Sequence, residues 1–407
     1  MSGPRTGPLT GRRAAVVNWR DLGHSRAGGS EHYAWQAALA LRDAGADVDF
    51  VTARDRTTGQ SAREVVDGID VVRGGGTLGF YPRALLWLLR HRRSIDLVID
   101  PACGIPTFTP LVLPRRTTVL LVVHHVHQDQ FGTYFPAPVA ALGRWLERVA
   151  MPRVYRRRPV VAVSDSTRTE MRRRLGWRGD IGLLPNGAAQ PDAGASPVPP
   201  GPPGPAGPPR LLVLGRLVPH KRVDLALAAL AALRPAHPGL RLDVAGAGPE
   251  LPALLARARE LGVADAVTFH GFVSERRKAE LLDAATLHLC GSDAEGWGQV
   301  VVEAAAHGLP TVARDVPGLR DSVRDGVTGW LVPATADTAD TAAGFVATVD
   351  RALRELADPA TRARVRAAAR AHAAAYTWPR MHAQLLRHLS VTQPVTQPVT
   401  QFEGVTP

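Results

Sequence analysis

The segment EGWGQVVVEAAAHGLP contains two glutamates with seven residues between them, and carboxylates at this spacing could serve one ligand. Glu295 lies among glycines in a predicted loop, whereas Glu303 lies in an apolar stretch that predicts a helix. Gly296 and Gly298 surround Trp297 at the helix start, where unpaired backbone amides could hold a phosphate group. Glu303 is about 7 Å further along the helix axis, so the two carboxylates need not touch. They could instead accept hydrogen bonds from hydroxyls at the two ends of a diphosphate.

Two basic side chains and two further loops follow other predicted strands of the second half. Arg216 and Lys221, in GRLVPHKR, come between a strand and a helix, where the helix dipole and two cations together suit a diphosphate. Two surface cations are the alternative interpretation. Gly248, in AGAGP, has no side chain and would let the backbone approach a ligand. The segment HGFV follows a third strand and could flank a flat ring with His270, Phe272 and Val273.

A histidine-rich segment, VVHHVHQDQ, ends a predicted strand of the first half. His124, His125, His127 and Asp129 could form a metal cluster, but no cysteine or carboxylate-rich motif accompanies them. We therefore favour a single polar histidine in a cleft. His124 is the first choice because it directly ends the apolar run, and His125 and His127 are expected behind it or at the surface.

The sequence DVD, residues 47–49, matches the D-x-D motif of metal-dependent sugar transferases. Here it lies in a predicted strand in which Val48 and Phe50 alternate with the two aspartates. This alternation predicts a solvated strand face, and we expect no metal site.

The elements that must position these residues alternate between strand and helix. AAVVNW, ADVDFVTA, IDLVID, TVLLVVHH and PVVAVSD predict buried strands, and SEHYAWQAALALRDAG predicts a helix with Ser30 as its N-cap. Gly28 and Gly29 precede that helix. The alternation resumes from RLLVLGR to PTVARD. It predicts two α/β domains with doubly wound parallel sheets, whose ligands bind at the carboxyl ends of the strands in an inter-domain cleft.

A proline- and glycine-rich interruption, QPDAGASPVPPGPPGPAGPPR, predicts where the chain divides, because it cannot build a core. The repeat VTQPVTQPVTQ near the C-terminus has little to bury and is predicted to be disordered. The predicted segments are an N-terminal domain (12–189), a linker (190–209), a C-terminal domain (210–375), a closing helix (376–390) and a disordered tail (391–407).

The composition of the 407 residues, with 45% hydrophobic and 21% charged, is that of a globular protein. There is no apolar run long enough to cross a membrane, no secretory signal and only two cysteines, so we expect a cytoplasmic protein. Residues 1–190 carry 27 arginines and 16 carboxylates, which is +11 of the total charge of +12. This half could attract phosphates, nucleic acid or an anionic membrane surface, or could be a solvated basic face.

Taken together, these motifs resemble the retaining GT-B glycosyltransferases of family 4. The resemblance covers roughly residues 12–390 without the linker and the tail, and its most specific part is EGWGQVVVEAAAHGLPTVA with GRLVPHK upstream and GWLVP downstream. GGSEHYAWQAALALRDAGADVDFVTA resembles the N-terminal opening of the family, and LLPNG its lead into the hinge. YTWPRMHAQLL resembles its closing helix, which in this fold packs back on the N-terminal, acceptor-side domain.

By this resemblance, Arg216 and Lys221 hold the donor diphosphate and Glu303 binds the nucleotide ribose. Glu295 contacts hydroxyls of the transferred sugar, and His124 lies near that sugar. Residues 270–273 flank the base. The implied catalytic residues are Glu295, His124, Arg216 and Lys221, and the implied donor-binding residues are Gly29, Arg216, Lys221, Gly248, His270, Phe272, Val273, Glu295, Gly296, Trp297, Gly298, Gln299, Val300 and Glu303.

The implied reaction is metal-independent transfer of a hexose from a nucleoside diphosphate sugar, of UDP or GDP, with retention of configuration. The implied acceptor is a small molecule or natural product, or a cell-envelope lipid or glycan, and the basic N-terminal domain could contact the inner membrane face. No further cofactor and no nucleic acid is expected. The alternatives are a GT-B-like sugar-nucleotide epimerase and, more remotely, a nucleic-acid-binding protein.

Overall fold

The computed structural model describes residues 7–191, 207–333 and 338–390, and over these the chain forms two α/β units, each built on one sheet. The predicted fold class is confirmed, because the strand pairs of both sheets are parallel apart from one hairpin at an edge. The strands are β1 (Arg13–Val17), β2 (Asp47–Thr52), β3 (Arg63–Val66), β4 (Ile69–Arg73), β5 (Leu97–Ala102), β6 (Thr118–Val123), β7 (Val160–Ala162), β8 (Gly182–Leu183), β9 (Arg210–Leu214), β10 (Arg241–Ala245), β11 (Val267–Gly271), β12 (Leu287–Cys290), β13 (Thr311–Arg314) and β14 (Gly329–Val332).

Helices connect these strands and cover both faces of each sheet. They are α1 (Gly29–Asp43), α2 (Gly76–His91), α3 (Gln130–Tyr134), α4 (Ala137–Trp145), α5 (Met151–Val154), α6 (Asp165–Leu175), α7 (Val223–Leu233), α8 (Leu251–Glu260), α9 (Glu275–Ala284), α10 (Gln299–Ala306), α11 (Leu319–Ser322), α12 (Thr338–Ala357), α13 (Pro359–Ala373) and α14 (Trp378–Ser390). A π-helical turn, Leu146–Ala150, joins α4 to α5.

The strand orders place a crevice at the carboxyl end of each sheet. The first sheet has the order β3-β4-β2-β1-β5-β6-β7-β8 and the second β11-β10-β9-β12-β13-β14. In each sheet the order reverses beside its first strand, β1 or β9, so that neighbouring connections leave on opposite faces. Alternate residues of β1 reflect this: Ala14 and Val16 pack with α1, whereas Ala15 and Val17 pack with α2.

The core of the first unit extends into helices of the second. Tyr33 in α1, Trp297 and Val302 around α10, and Leu385 in α14 belong to one buried cluster. Helix α14 lies on α1, and the Nε2 atom of His382 is 3.0 Å from the Oε1 atom of Gln36. The two units are therefore packed against each other along α1, α10 and α14. The boundaries at 190–209 and 391–407 stay predictions, because residues 192–206 and 391–407 lie outside the described parts of the chain.

The prediction for the D-x-D motif is wrong in one respect. Asp47 is exposed, but Asp49 is buried and forms an ion pair with Arg13, whose Nε atom is 2.8 Å from its Oδ2 atom. The alternation did not indicate a solvated face, because β2 lies inside a sheet that helices cover on both sides.

Helix α1 also begins earlier than predicted. Gly28 and not Ser30 is its cap residue, and the Oε2 atom of Glu31 accepts a hydrogen bond of 2.8 Å from the amide of Gly28. The side chain that satisfies the helix start thus comes from within the first turn, at the spacing of a capping box.

Candidate active site

The loops after β9 and β12 bring Lys221 and Glu295 together. Lys221 ends a 3₁₀ turn, Pro219–Lys221, and its Nζ atom forms a short ion pair with the Oε1 atom of Glu295. Ser292 donates a hydrogen bond of 2.9 Å to the same oxygen. Burial lowers the pKa of Lys221, but the carboxylate of Glu295 outweighs it and the net shift is upward. Within the described residues the Oε2 atom of Glu295 has no partner, so it is available to a ligand hydroxyl.

The second glutamate is also held by a lysine. The Nζ atom of Lys278, in α9, donates to the Oε2 atom of Glu303 at 3.1 Å, and the Nε2 atom of Gln299 donates to the Oε1 atom at 3.2 Å. The Nε2 atom of Gln299 also bonds the carbonyl oxygen of Gly187 in the first unit, at 2.9 Å. Sequence reasoning missed Lys278, although its rarity was a usable signal: it is one of two lysines in the chain.

Arg216 faces the N-terminus of α1 across the cleft. A Cβ atom placed on Gly28 would lie 3.6 Å from the Nε atom of Arg216, and one on Gly29 would lie 3.7 Å from the Cβ atom of Gln299. In the described parts of the chain, the side chain of Arg216 makes no hydrogen bond or ion pair, and it is exposed. A cation of one unit and a helix N-terminus of the other therefore share one space, which suits an anionic group.

Glu31 and Arg20 support this helix start, and sequence reasoning missed both. Glu31 is buried, and while its Oε2 atom accepts from Gly28, its Oε1 atom accepts from the Nε atom of Arg20 at 2.9 Å. The carboxylate orients the loop before α1 and its charge is balanced by Arg20. The spacing of Glu31 three residues after Gly28 was the available signal.

The two walls of the cleft touch at Gly296. A Cβ atom on Gly296 would lie 1.8 Å from the carbonyl oxygen of His124 and 3.4 Å from the Cβ atom of His125. Only glycine permits this approach, since the clash would involve backbone. The hydroxyl of Thr167 lies within 3.5 Å of the carbonyl oxygens of both His124 and Gly296. The cleft is therefore narrow beside Glu295. The loop that contains Gly296 is part of the second unit's wall and contacts the wall of the first unit.

Of the three histidines, His124 is the most buried, at 9% exposure. Its ring is edge-on to Tyr33 with 4.8 Å between centroids, and its Nε2 atom has no hydrogen-bond partner among the described residues. Burial lowers the pKa of His124 to about 3, so the ring is neutral at pH 7. The ring of His125 is edge-on to that of His127, whose amide donates to Glu147 at 2.7 Å. In the described chain no three His, Cys, Asp or Glu side chains are grouped to hold a metal ion.

The residues predicted to flank a base lie at the end of β11. His270 pairs with Asp243, with 2.6 Å between Nε2 and Oδ1, and Phe272 is 89% exposed. Val273 packs partly buried against a small apolar cluster of the second unit. An exposed aromatic ring beside a fixed histidine is consistent with a stacking surface, and the role of this segment stays a prediction.

Three predicted donor residues have evident packing roles. A Cβ atom on Gly248 would lie 2.1 Å from the carbonyl oxygen of Leu217, so this glycine lets two loops of the same unit meet. The indole of Trp297 is buried, edge-on to Tyr376 at 4.8 Å between centroids. Val300 packs against the second unit's apolar cluster. At the start of α10 the amide of Gln299 donates to the carbonyl oxygen of Trp297 at 2.9 Å. The groups left to a ligand there are the amides of Gly298 and Val300 and the Oε1 atom of Gln299.

Two family descriptions match the chain. The family model described as Glycosyl transferases group 1 matches residues 201–372, and that described as Glycosyltransferase Family 4 matches residues 27–189. Between them they cover most of both α/β units.

Curated relatives match over less than half of the chain. The D-inositol 3-phosphate glycosyltransferase of Nocardia farcinica is 36% identical over 191 residues, which are 45% of this chain and 40% of that protein. The protein of the same name in Mycobacterium tuberculosis is 41% identical over 170 residues, or 40% of this chain and 33% of that protein. The match thus spans less than half of the length of these relatives.

Solved structures share the fold over nearly the whole chain. Sucrose-phosphate synthase from Thermosynechococcus elongatus superimposes with a TM-score of 0.75 and 23% identity, covering 94% of this chain and 100% of that one. HepE of Anabaena, solved with UDP and glucose, has a TM-score of 0.67 and 19% identity, covering 93% and 100%. WaaG, a glycosyltransferase of lipopolysaccharide biosynthesis, has a TM-score of 0.67 and 16% identity, covering 94% and 100%.

Proposed function

The chain belongs to the group 1 glycosyltransferases of family 4, and we propose that it transfers a hexose from a nucleoside diphosphate sugar to an acceptor hydroxyl. The observation that carries this proposal is the arrangement around α10. Its N-terminus lies between Glu295 and Glu303, and Lys221 and Arg216 stand beside it. Such a site offers cations and amides to a diphosphate, and one carboxylate on each side to the hydroxyls of a sugar and a ribose.

The leaving group defines what these residues would do in the reaction. As the bond between sugar and diphosphate breaks, negative charge develops on the phosphate oxygens. Arg216, Lys221 and the amides of Gly298 and Val300 would stabilise that charge. Glu295 would hold the sugar by its free Oε2 atom, and His124 would offer its unpartnered Nε2 atom to another hydroxyl.

We propose transfer with retention by a front-face displacement. Glu295, the carboxylate proposed to contact the sugar, is bonded to Lys221 and Ser292, which supports its proposed role as a hydroxyl acceptor. In this mechanism the donor phosphate takes the proton of the acceptor hydroxyl, and the acceptor attacks on the side that the diphosphate leaves.

For the donor we propose a hexose linked to UDP or GDP. UDP is the first to test, because the structurally similar HepE was solved with UDP and glucose. For the acceptor we propose a small molecule or natural product, or a cell-envelope lipid or glycan. D-inositol 3-phosphate belongs in the first acceptor panel, because relatives that this chain matches over less than half of their length are named for it.

The experiment is a transfer assay with UDP- and GDP-hexoses on an acceptor panel, with the product anomer read by NMR. Glu295→Ala and Lys221→Ala should each lower kcat/KM by about 10²–10³-fold, as for removal of a charge-stabilising group. Arg276→Ala is the matched control, since among the described residues Arg276 pairs only with Glu280, on an exposed face. Wild-type turnover by the double variant would refute the site, and circular dichroism checks that the variants fold.

An epimerase of the same fold is the competing activity. Incubation of the wild-type protein with the sugar nucleotide alone distinguishes them, because an epimerase needs no acceptor. Formation of the epimeric sugar nucleotide would replace the proposed transfer.

We also propose peripheral contact with an anionic membrane through α4, which is apolar on its outer side. Phe135, Val139, Leu142 and Trp145 are each 44–55% exposed and recur at helical spacing, forming what we call the α4 stripe. The buried residues of α4 are Ala140 and Gly143, and the buried Glu147 follows in the π-helical turn. Arg148 is exposed one turn after Trp145, and residues 1–190 carry a charge of +11. An apolar stripe with adjacent arginines suits an interfacial helix on anionic lipid. In the described chain no helix has the length and apolarity to cross a bilayer.

Vesicle co-sedimentation tests the α4 stripe. The full chain should pellet with vesicles of phosphatidylserine and phosphatidylcholine and not with phosphatidylcholine alone. Leu142→Asp combined with Trp145→Asp should abolish pelleting, while Val65→Asp, at an exposed apolar position of β3, should leave it unchanged. Equal pelleting by all variants would exclude this contact.

A further inference from the structure

Lysine occurs at two positions in this chain, against 47 arginines, and each lysine bonds one glutamate of the α10 segment. Lys221 pairs with Glu295 and, in the proposed function, also serves the diphosphate. Lys278 pairs with Glu303 from α9, and the proposed function gives it no task. The two ion pairs form the second unit's wall of the cleft.

Within the part of the chain that the structure describes, the contacts of Glu303 leave part of its carboxylate free. One oxygen accepts from Lys278 and the other from Gln299, at 3.1 and 3.2 Å. A carboxylate oxygen has two lone pairs, so each oxygen can accept one more hydrogen bond. The Glu303 side chain is only 16% exposed, so water competes little for those positions. The carboxylate is thus fixed in orientation, with one free acceptor site on each oxygen.

A lysine at position 278 holds the carboxylate of Glu303 differently from an arginine. An ammonium is a point charge that donates to one oxygen of Glu303 and, at 2.7 Å, to Glu275. A guanidinium forms two parallel hydrogen bonds with both oxygens of one carboxylate. An arginine here would therefore occupy the two acceptor sites that a vicinal diol needs.

We infer that Lys278 is a positioning residue for ribose recognition, which holds Glu303 so that its two oxygens accept the 2′- and 3′-hydroxyls of the nucleotide. This rests on the proposed function, because it takes Glu303 as the ribose ligand. The side chain of Lys278 touches the carboxylate and not the nucleotide. Its removal changes the selectivity for ribose, and leaves the binding of the diphosphate in place.

The test is isothermal titration of the full-length protein with UDP and 2′-deoxy-UDP, or with GDP and 2′-deoxy-GDP if GDP binds more tightly. The measured quantity is the ratio of the two Kd values. The wild-type protein should prefer the ribonucleotide by about tenfold or more, as expected for a hydrogen bond to a charged group. Lys278→Met and Lys278→Arg should both bring the ratio close to that of Glu303→Ala, which should lie within about twofold of unity.

Two variants serve as matched controls. Glu275→Gln removes the other partner of Lys278, but Glu275 is 81% exposed, so the pair contributes little and the ratio should stay at the wild-type value. Lys221→Met should weaken the binding of both nucleotides equally and leave their ratio unchanged, because its site is the diphosphate.

The outcomes separate the inference from the proposed function. If neither UDP nor GDP binds the wild-type protein, the proposed function fails. If the wild-type protein prefers the ribonucleotide and Lys278→Met or Lys278→Arg keeps that preference, Lys278 only ties α9 to α10 and the inference is overturned. A parallel thermal unfolding curve identifies that structural role, since it would lower Tm while leaving the ratio unchanged.

Discussion

The two glutamates on one wall of the cleft and His124 on the other differ in how their polar atoms are satisfied. On the wall of the second unit, Glu295 and Glu303 each have a lysine partner within that unit, with no ligand present. On the wall of the first unit, His124 is buried and neutral, and its Nε2 atom has no partner among the described residues. The two carboxylates are thus fixed by partners of their own unit, whereas the imidazole of His124 is not.

This difference indicates where geometry is fixed before a substrate binds. Paired and hydrogen-bonded carboxylates keep their orientation, which lowers the cost of reorganisation during the reaction. A buried polar atom without a partner destabilises the folded protein until something bonds it. We therefore expect substitutions at the contact between the walls to reduce kcat strongly. Substitution of His124 should separate activity from stability.

Among the variants that test this comparison, the largest effect should come from Gly296→Ala, which forces the walls apart. The new Cβ atom would meet the carbonyl oxygen of His124, which is backbone and cannot turn away. We expect kcat to fall about 100-fold, because a displacement of about 1 Å of reacting groups has that effect. Nucleotide affinity, measured by calorimetry, should change less than threefold. Gly79→Ala is the control, as a Cβ atom there meets nothing within 4 Å. An unchanged kcat would show that the contact is not required.

His124→Phe should lose activity without losing stability. Phenylalanine keeps a ring against Tyr33 but removes the buried nitrogen atoms. We expect kcat/KM to fall about tenfold through loss of one sugar contact, while Tm stays equal or rises. The assay is steady-state kinetics beside thermal unfolding. A lower Tm together with full activity would contradict the proposal that His124 binds the sugar at a cost in stability.

The same variant should change how stability depends on pH. In the unfolded chain His124 binds a proton below about pH 6.5, but burial keeps the folded pKa at about 3. Stability therefore falls as the pH drops through this range, by about 1.4 kcal/mol per pH unit for one group. His125 and His288, also shifted to about 3, remain in both proteins and cancel. Urea unfolding measures the free energy of unfolding at about pH 6 and pH 4.5. This free energy should decrease less between the two pH values for His124→Phe than for the wild-type protein, and equal decreases would contradict the expected role of His124.

The smallest effect should come from Gln299→Ala, which removes one link between the walls. Its amide joins Glu303 to the carbonyl oxygen of Gly187, but Lys278 still holds the carboxylate. We expect KM for the donor to rise about threefold with kcat nearly unchanged, as for one neutral hydrogen bond. A large fall in kcat would mean that this bond, and not the Gly296 contact, joins the walls.

Much of this architecture could be predicted from local sequence. The run SEHYAWQAALALRDAG predicted a helix that the structure has as α1, Gly29–Asp43, because an apolar periodic segment determines its own helix. The edge hairpin β3–β4 was not predicted, since its short strands lack a continuous apolar run. The exposed apolar side of α4 and the buried Glu147 that follows it also escaped prediction. The burial of Glu147 depends on hydrogen bonds from the backbone amide of His127 and the side chain of Gln128, which are distant in the sequence.

The sequence by itself determined the alternation of strands and helices, the glycine turn before α10 and the spacing of Glu295 and Glu303. These are local properties, set by residues within a few positions of one another. Only the tertiary structure decided which groups meet. It paired Lys278 with Glu303 and Asp49 with Arg13, and it gave Gly248 a packing role. The two ion pairs join residues 25 and 36 positions apart, and the Gly248 contact joins loops that follow two different strands. No local sequence pattern determines that such distant residues meet.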